Sequence, residues 1–261
     1  MRVITTVQEM VDERSRWAGS TKIGFVPTMG YLHEGHLTLV RQGRKENDKL
    51  LASIFVNPTQ FGQHEDLGKY PRDLPHDLRM LETLGVDVAF VPTTEEVYPP
   101  GFVTYVDPTG PLTEDAEGKS RPGHFRGVAT VVLKLFQIVR PDQAYFGQKD
   151  AQQAEVIRRM IRDLALEIEL RVLPTVRDAD GLALSSRNAR LSPDERERAL
   201  ALPRALKTKD AAEALAALAA SNGLAVDYVE LADFDPPVLA GAVRVGETRL
   251  IDNVVLEGED T

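Results

Sequence analysis

The segment Ile23-Gly24-Phe25-Val26-Pro27-Thr28-Met29-Gly30-Tyr31-Leu32-His33-Glu34-Gly35-His36-Leu37-Thr38-Leu39-Val40-Arg41-Gln42-Gly43-Arg44 changes its hydrophobic period partway along. Ile23–Val26 is an unbroken apolar run, the pattern of a short buried strand. Leu37–Arg44 repeats its apolar residues at helical spacing. The same alternation recurs downstream. Leu50–Val56 reads as a strand, Asp77–Leu84 as a helix and Asp87–Val91 as a strand. Val128–Val139 follows as a helix apolar almost all round, then Gln143–Phe146 as a strand. Ala151–Leu164 reads as a charged amphipathic helix, and Leu166–Val172 as an alternating strand. Strand–helix–strand alternation predicts an α/β fold, a parallel sheet with helices on both faces.

Two regions break the rhythm. Pro99–Gly127 is rich in Gly, Pro and charge and reads as an irregular excursion over the surface or over a site. Past Pro174 the texture changes. Ser192-Pro193-Asp194-Glu195 is a capping box with Pro at the first helical position. Asp210–Ala220 reads as an alanine-rich helix ending near Asn222-Gly223. Val226–Leu231, Ala242–Val245 and Arg249–Val255 read as strands. The expected organisation is a larger domain over 1–175 and a smaller C-terminal α+β domain over 176–261 that covers the site, with the boundary near Pro174–Val176.

Composition narrows the function. The chain of 261 residues has no cysteine, which excludes a disulfide framework, thiolate zinc and thiol nucleophiles. Its longest apolar run, Val128–Val139, is interrupted by Lys134 and Gln137, short of a membrane span. Met1–Thr6 shows no apolar signal core before Glu9 and Asp12. A soluble, unexported protein is expected. The formal net charge is −9, which disfavours a duplex nucleic-acid partner. An anionic ligand must therefore meet a local cluster of Lys, Arg and His.

Four loops carry candidate chemistry. Pro27–His36 lies between a strand and a helix, where ligands bind open α/β sheets and where free backbone N–H groups favour phosphate. His33 and His36, three apart, can share one helix face, and Gly35 lets a ligand approach the backbone closely. The plain alternative is a pair of surface histidines. Zinc proteases need HExxH, so the spacing here argues against a metal centre. Tyr145-Phe146-Gly147-Gln148-Lys149-Asp150 again precedes a helix: Lys149 offers a charge for phosphate, and Asp150 could serve a ribose hydroxyl or Mg²⁺ indirectly. The alternative is an ordinary helix start. Asp180–Asn188 places Ser185, Ser186 and Arg187 together, a set suited to pyrophosphate or to a capped polar loop. Asn57–Gly62 follows the second strand, and Gln60 could hydrogen-bond a small polar substrate or sit in a simple turn. Glu117-Gly118-Lys119-Ser120 imitates the end of a P-loop, but Thr113 stands where glycine is required and no strand precedes it.

Taken in order, Pro27–His36 (PTMGYLHEGH), Ser53–Gly62 (SIFVNPTQFG), Arg121–Val128 (RPGHFRGV), Tyr145–Gln153 (YFGQKDAQQ) and Asp180–Asn188 (DGLALSSRN) resemble the pantoate–β-alanine ligase (pantothenate synthetase) family. The resemblance runs from about Ile23 to Leu191, and more loosely to Val255 through Thr248–Asn253 (TRLIDN). HxGH alone implies only the wider nucleotidyltransferase group, whose Rossmann-like fold is shared with class I aminoacyl-tRNA synthetases. The alternative at that level is an enzyme that leaves the nucleotide on its product.

The family resemblance implies ATP-dependent ligation of pantoate and β-alanine through a pantoyl adenylate, with AMP and pyrophosphate released. MgATP is the substrate form, and the protein is implied to be a cytoplasmic homodimer. Carried over motif by motif, Met29, Gly30, Tyr31, Leu32, His33, Glu34, Gly35 and His36 would line the ATP site. Gly147, Gln148, Lys149, Asp150, Val176, Leu184, Ser185, Ser186 and Arg187 would join them. His36 would be the proton-donating residue, and cations at His33, His36, Lys149 and Arg187 would stabilise the leaving pyrophosphate. Gln60 and Gln153 would hold pantoate, with Gln60 also near β-alanine. Val131, Val132, Leu135 and Phe146 would pack on pantoate's methyl groups. Leu184 and Gln148 depart from the family pattern, where Met and Glu are frequent, and the stretch Lys207–Ala219 is short.

Overall fold

The computed structural model describes residues 1–17, 19–62 and 67–256. Among these described residues, nine strands form two sheets. In the first, β1 (Arg2–Ile4), β2 (Ile23–Thr28), β3 (Lys49–Ile54), β4 (Val88–Phe90), β5 (Gln143–Gly147) and β6 (Glu169–Leu173) pair in the order β1-β4-β3-β2-β5-β6. Every pairing in that sheet is parallel. Helices α1 (Val7–Ser15), α2 (Glu34–Glu46), α3 (Leu74–Thr83), α4 (Thr94–Val97), α5 (Pro111–Glu114), α6 (Ala116–Ser120), α7 (His124–Val139) and α8 (Ala151–Asp163) complete this part.

Alternation along the strands sends side chains to both faces, and each face has its own core. Phe25, Leu51, Val88 and Phe90 pack with Met10 of α1, with α7 and with Val156, Ile157 and Met160 of α8. Val26, Leu50, Ala52 and Ala89 pack instead with Leu37 and Val40 of α2 and Leu81 of α3. Burial on both faces explains the unbroken apolar strands.

The edge strand β1 and the helix α1 stand outside the sequence-based alternation, which begins at Ile23. Three strand residues are too few to show a period. The helix is started by Thr6, whose hydroxyl accepts the Glu9 N–H at 3.2 Å. The excursion is only partly irregular, since it holds α5, α6 and the first turn of α7. That helix begins at His124, four residues before the apolar run. Strand β6 begins three residues later than the alternation suggests, because its ladder partner β5 begins only at Gln143, opposite Glu169.

After β6 the chain builds a second sheet with α9 (Pro193–Ala199), α10 (Ala201–Leu206) and α11 (Ala211–Ala219) against it. The sheet runs antiparallel as β7 (Leu224–Ala232), β8 (Val238–Val245) and β9 (Thr248–Val255). Ser192 and Glu195 cap α9 reciprocally, at 2.9 and 3.3 Å. Leu182, Leu202, Leu206, Leu218, Leu239 and Val243 belong to this second core. A small apolar contact of Ala151 with Val238 and Ala240 joins the two parts. Among the described residues, no helix is long and apolar enough to cross a membrane.

Chain direction places the site. From β2 the chain moves through β3 to β4 on one side, then returns to β5 on the other side of β2. The loops after β2 and β5 therefore flank the point where strand order reverses, the crevice in which such sheets bind ligands.

Candidate active site

The turn after β2 is built before any ligand enters. Gly30 and Tyr31 both adopt positive φ, 80° and 53°. Asp77 of α3, 1% exposed, holds this conformation. One carboxylate oxygen accepts the Tyr31 N–H at 2.8 Å and the other the Leu32 N–H at 2.8 Å. His33 then caps α2, and its ring lies 4.1 Å from that of His36 between centroids. A side chain at position 35 would sit 3.0 Å from His33 Cε1 and Nδ1, so the glycine makes room for the imidazole.

Burial, and then the Lys149 charge, lower the His33 pKa to about 4. Burial, followed by the His33 ring, lowers that of His36 to about 3. Both rings are therefore neutral donors and acceptors near neutral pH, where the sequence reading expected cations. The His33 backbone N–H donates to Nδ1 of His36 at 3.4 Å, which leaves Nε2 as the protonated nitrogen of the His36 ring.

A cavity of about 210 Å³ opens beside the two rings. Met29, His33, Gly35 and His36 line one part of it. Gly147, Lys149 and Asp150 come from the β5 loop, and Val176, Leu184, Ser185, Ser186 and Arg187 from the segment after β6. Val176 and Leu184 meet because residues 176–184 double back, with the Leu184 N–H on the Val176 carbonyl at 2.9 Å. Lys149 Nζ lies 3.2 Å from Asp150 Oδ1. Burial opposes ionisation of Asp150, but Lys149 and Arg187 together hold its carboxyl below the usual range. Among the described residues, the Arg187 guanidinium has no carboxylate partner within salt-bridge distance.

The opposite wall is apolar, formed by Val131, Val132 and Leu135 of α7 and Phe146 of β5. It accounts for the apolar circumference of α7, which faces the sheet on one side and the cavity on the other. Two amides border this wall. Gln60 is 8% exposed and accepts the Asn57 amide at 3.0 Å. Its backbone carbonyl lies 2.9 Å from His124 Nδ1. Gln153 lines the cavity, while its neighbour Gln152 turns away to donate to the carbonyls of Leu112 and Asp115 at 2.8 and 3.0 Å.

Other predicted residues lie off the cavity. Gly30, Tyr31 and Leu32 form the turn that Asp77 holds. Glu34 pairs with Arg41 on the outside of α2. Gln148 faces β9, with its amide 3.4 Å from Asn253. Several lining residues were not assigned from the sequence: Thr28 and Asn57, which sit inside the quoted motifs, and Tyr70 and Thr175, which lie outside them. Tyr70 OH lies 3.5 Å from Ser186 Oγ, and burial raises its pKa. Thr175 Oγ1 is buried without a hydrogen-bond partner among the described residues. Beyond this cavity a cleft of about 1050 Å³, lined by Lys149, Asp150 and Arg187 together with Arg244 and Arg249, runs between the two sheets. The P-loop imitation at Glu117–Ser120 lies in α6 and follows no strand.

Two imidazoles, an ammonium and a guanidinium converging at the switch point of a parallel sheet define a nucleotide-using α/β enzyme of the HxGH type. Comparison with known proteins specifies it further. The pantoate–β-alanine ligase family model matches residues 2–255. The pantothenate synthetase of Roseiflexus sp. (strain RS-1) is 54% identical, with 98% of this chain and 100% of that protein covered. That of Thermotoga petrophila is 50% identical at the same coverage. The crystal structure of pantothenate synthetase from Thermus thermophilus superposes with a TM-score of 0.93 at 45% identity, covering 99% of this chain and 100% of that one. The Francisella tularensis pantoate–β-alanine ligase, solved with an ATP ligand and β-alanine, gives a TM-score of 0.91 at 37% identity, with both chains fully covered. The chain belongs to the pantoate–β-alanine ligase family, and its activity is the ATP-dependent ligation of pantoate to β-alanine.

Proposed function

We propose that this one cavity carries both half-reactions, with the residues around it in the following roles. ATP enters as its magnesium complex, the metal riding on the phosphates, and the triphosphate lies along Lys149, Ser185, Ser186 and Arg187. The pantoate carboxylate attacks the α-phosphorus. The bond from that phosphorus to the bridging oxygen breaks, and pyrophosphate leaves with the electron pair. No base is needed, since the nucleophile is already an anion. The barrier lies in charge repulsion and orientation, which fixed donors relieve. Lys149, Arg187 and the Nε2–H of His36 are those donors, and removal of one costs about 10²–10³-fold in rate. Gln60 and Gln153 orient pantoate, and Val131, Val132, Leu135 and Phe146 receive its methyl groups. The amine of β-alanine, close to Gln60, then attacks the acyl carbon. The carbon–oxygen bond to phosphate breaks, AMP leaves with the electron pair, and the amine gives up a proton to solvent.

One observation carries this reading: the phosphate-binding groups and the apolar wall with its two amides border one space, so the acid and the α-phosphorus can meet there. The reading includes the division at 175/176, with the second unit covering the site (residues 257–261 lie outside the described residues). A homodimer in the cytoplasm belongs to it as well, and a solution mass of twice the chain checks the assembly. The experiment for the chemistry is pyrophosphate exchange. Labelled pyrophosphate should enter ATP when pantoate is present and β-alanine absent, and His36→Ala should abolish most of that exchange. Exchange that requires β-alanine would overturn the adenylate route.

A further inference from the structure

The stretch Thr248–Asn253 (TRLIDN) does not line the cavity of about 210 Å³, yet Thr248, Asp252 and Asn253 are buried polar side chains. It begins β9, and three of its side chains reach out of the second sheet. Arg249 donates to both oxygens of Glu117 on α6, at 2.8 and 2.7 Å. Asp252, 3% exposed, receives both terminal nitrogens of Arg177, at 2.6 and 3.0 Å. Asn253, 4% exposed, places its amide nitrogen 2.8 Å from the Gln148 carbonyl and 3.0 Å from the Lys149 carbonyl.

We propose that Asn253 is a positioning residue for the ligation, acting through Lys149 by fixing the two carbonyls of the loop that carries it. The proposal rests on the role given to Lys149 above. Residues Gln148–Asp150 form a single 3-10 turn between β5 and α8. A turn this short has few contacts of its own. Two adjacent carbonyls bound by one amide group fix the orientation of the peptide units on both sides of the Lys149 Cα. A displacement of that Cα would carry the ammonium with it, and a misplacement of about 1 Å costs roughly 10²-fold in rate.

The side chain at position 253 is matched to the task. An amide offers two donors, which the two carbonyls use, and one acceptor, which faces the Gln148 amide at 3.4 Å. The Asn253 backbone N–H donates to Asp252 at 2.8 Å, which couples this clamp to Arg177 beside Val176. One strand therefore ties the Lys149 loop to the segment that leads to Arg187. The alternative is that Asn253 merely joins the two sheets. That role costs stability but does not depend on what Lys149 does.

A double-mutant cycle separates the two. Full-length wild type, Asn253→Ala, Lys149→Ala and the double variant are compared by kcat/KM for ATP in the AMP-forming reaction with pantoate and β-alanine, and by thermal melting. Asn253→Ala should lower kcat/KM at least tenfold, and in the Lys149→Ala background the same change should cost less than twofold. Should Asn253→Ala fail to fold, Asn253→Ser, which keeps one donor, carries the same cycle. Equal losses in both backgrounds overturn the positioning role and leave the reading of Lys149 intact. Full activity of Lys149→Ala overturns both.

Discussion

Asp77→Asn probes the turn that aims the histidines. The carboxylate now accepts two backbone N–H groups at 2.8 Å each, from Tyr31 and Leu32. The amide oxygen of Asn can keep one. Its nitrogen then meets the other N–H donor to donor, and a buried N–H left unpaired costs about 1–3 kcal/mol. An opposing term reduces the loss. Burial raises the Asp77 carboxyl pKa above its usual value, so the native charge itself is disfavoured, and Asn removes it. The net loss is about 1–2 kcal/mol, or roughly 5–30-fold if it falls on the placement of His33 and His36. Asp77→Ala removes both acceptors and sets the upper bound, about 2–6 kcal/mol. Pyrophosphate exchange measures the catalytic share, and urea unfolding the stability. The pH dependence has a definite sign. A raised folded pKa means that the native state holds the proton more tightly than the unfolded chain. Wild-type stability relative to Asp77→Asn is therefore greatest below the unfolded pKa and shrinks as pH rises through the folded one. A gap that widens with rising pH, or wild-type exchange in Asp77→Asn, would refute the reasoning.

The two histidines give the opposite pH trend: their folded pKa values of about 4 and about 3 lie below the ordinary 6.5, so the stability they confer is present above pH 6.5 and lost as pH falls toward those values. Urea unfolding of wild type against His33→Gln/His36→Gln between pH 4 and 7 should show wild type losing ground as the pH drops, and a constant gap refutes the neutral rings. Gln60→Ala should cut kcat/KM for pantoate by about 5–150-fold, the equivalent of 1–3 kcal/mol for a lost buried hydrogen bond. ATP affinity, followed by calorimetry, should change far less; equal losses in both would separate Gln60 from pantoate.

The HxGH turn was legible because its signals are local: a change of period, glycines, and two histidines three apart. The same holds for Lys149 and for Ser185–Arg187, which sit on loops between elements of clear pattern. Gly35, read as room for a ligand, lines the cavity and also makes room for the His33 ring, an effect of side-chain packing that no spacing rule reports. The contacts of Asp77, and of Asn253 within the quoted TRLIDN stretch, were invisible for a related reason. Each acts on backbone groups more than forty residues away, and an Asp on a helix or an Asn on a strand looks ordinary until the chain is folded. Thr175 was missed because its meaning lies in what it lacks, a partner for Oγ1 among the described residues. The alternation at Leu166–Val172 correctly reported one-sided burial, since Leu166, Ile168 and Leu170 all pack on the first core. It could not report where the ladder starts, which the partner strand sets.

The neutral rings and the expected cationic role of His33 and His36 are reconciled by what enters the cavity. Burial disfavours their charge and Lys149 adds to the effect. On the proposed roles, a triphosphate laid along Lys149 and Arg187 would bring negative charge beside the rings and oppose the Lys149 contribution, while the larger effect, burial, stays. The cost of protonating an imidazole then falls, and the attraction of its Nε2–H for phosphate oxygen rises. In those roles, two groups held neutral by burial would add no repulsion between cations as ATP binds, yet would strengthen as donors when the leaving pyrophosphate gathers charge. An interaction that grows between ground state and transition state is the kind that accelerates the step rather than merely tightening binding. On the proposed roles, the fixed charges at Lys149 and Arg187 and the buried imidazoles act together on the leaving pyrophosphate, with the imidazoles the donors whose strength changes most along the step.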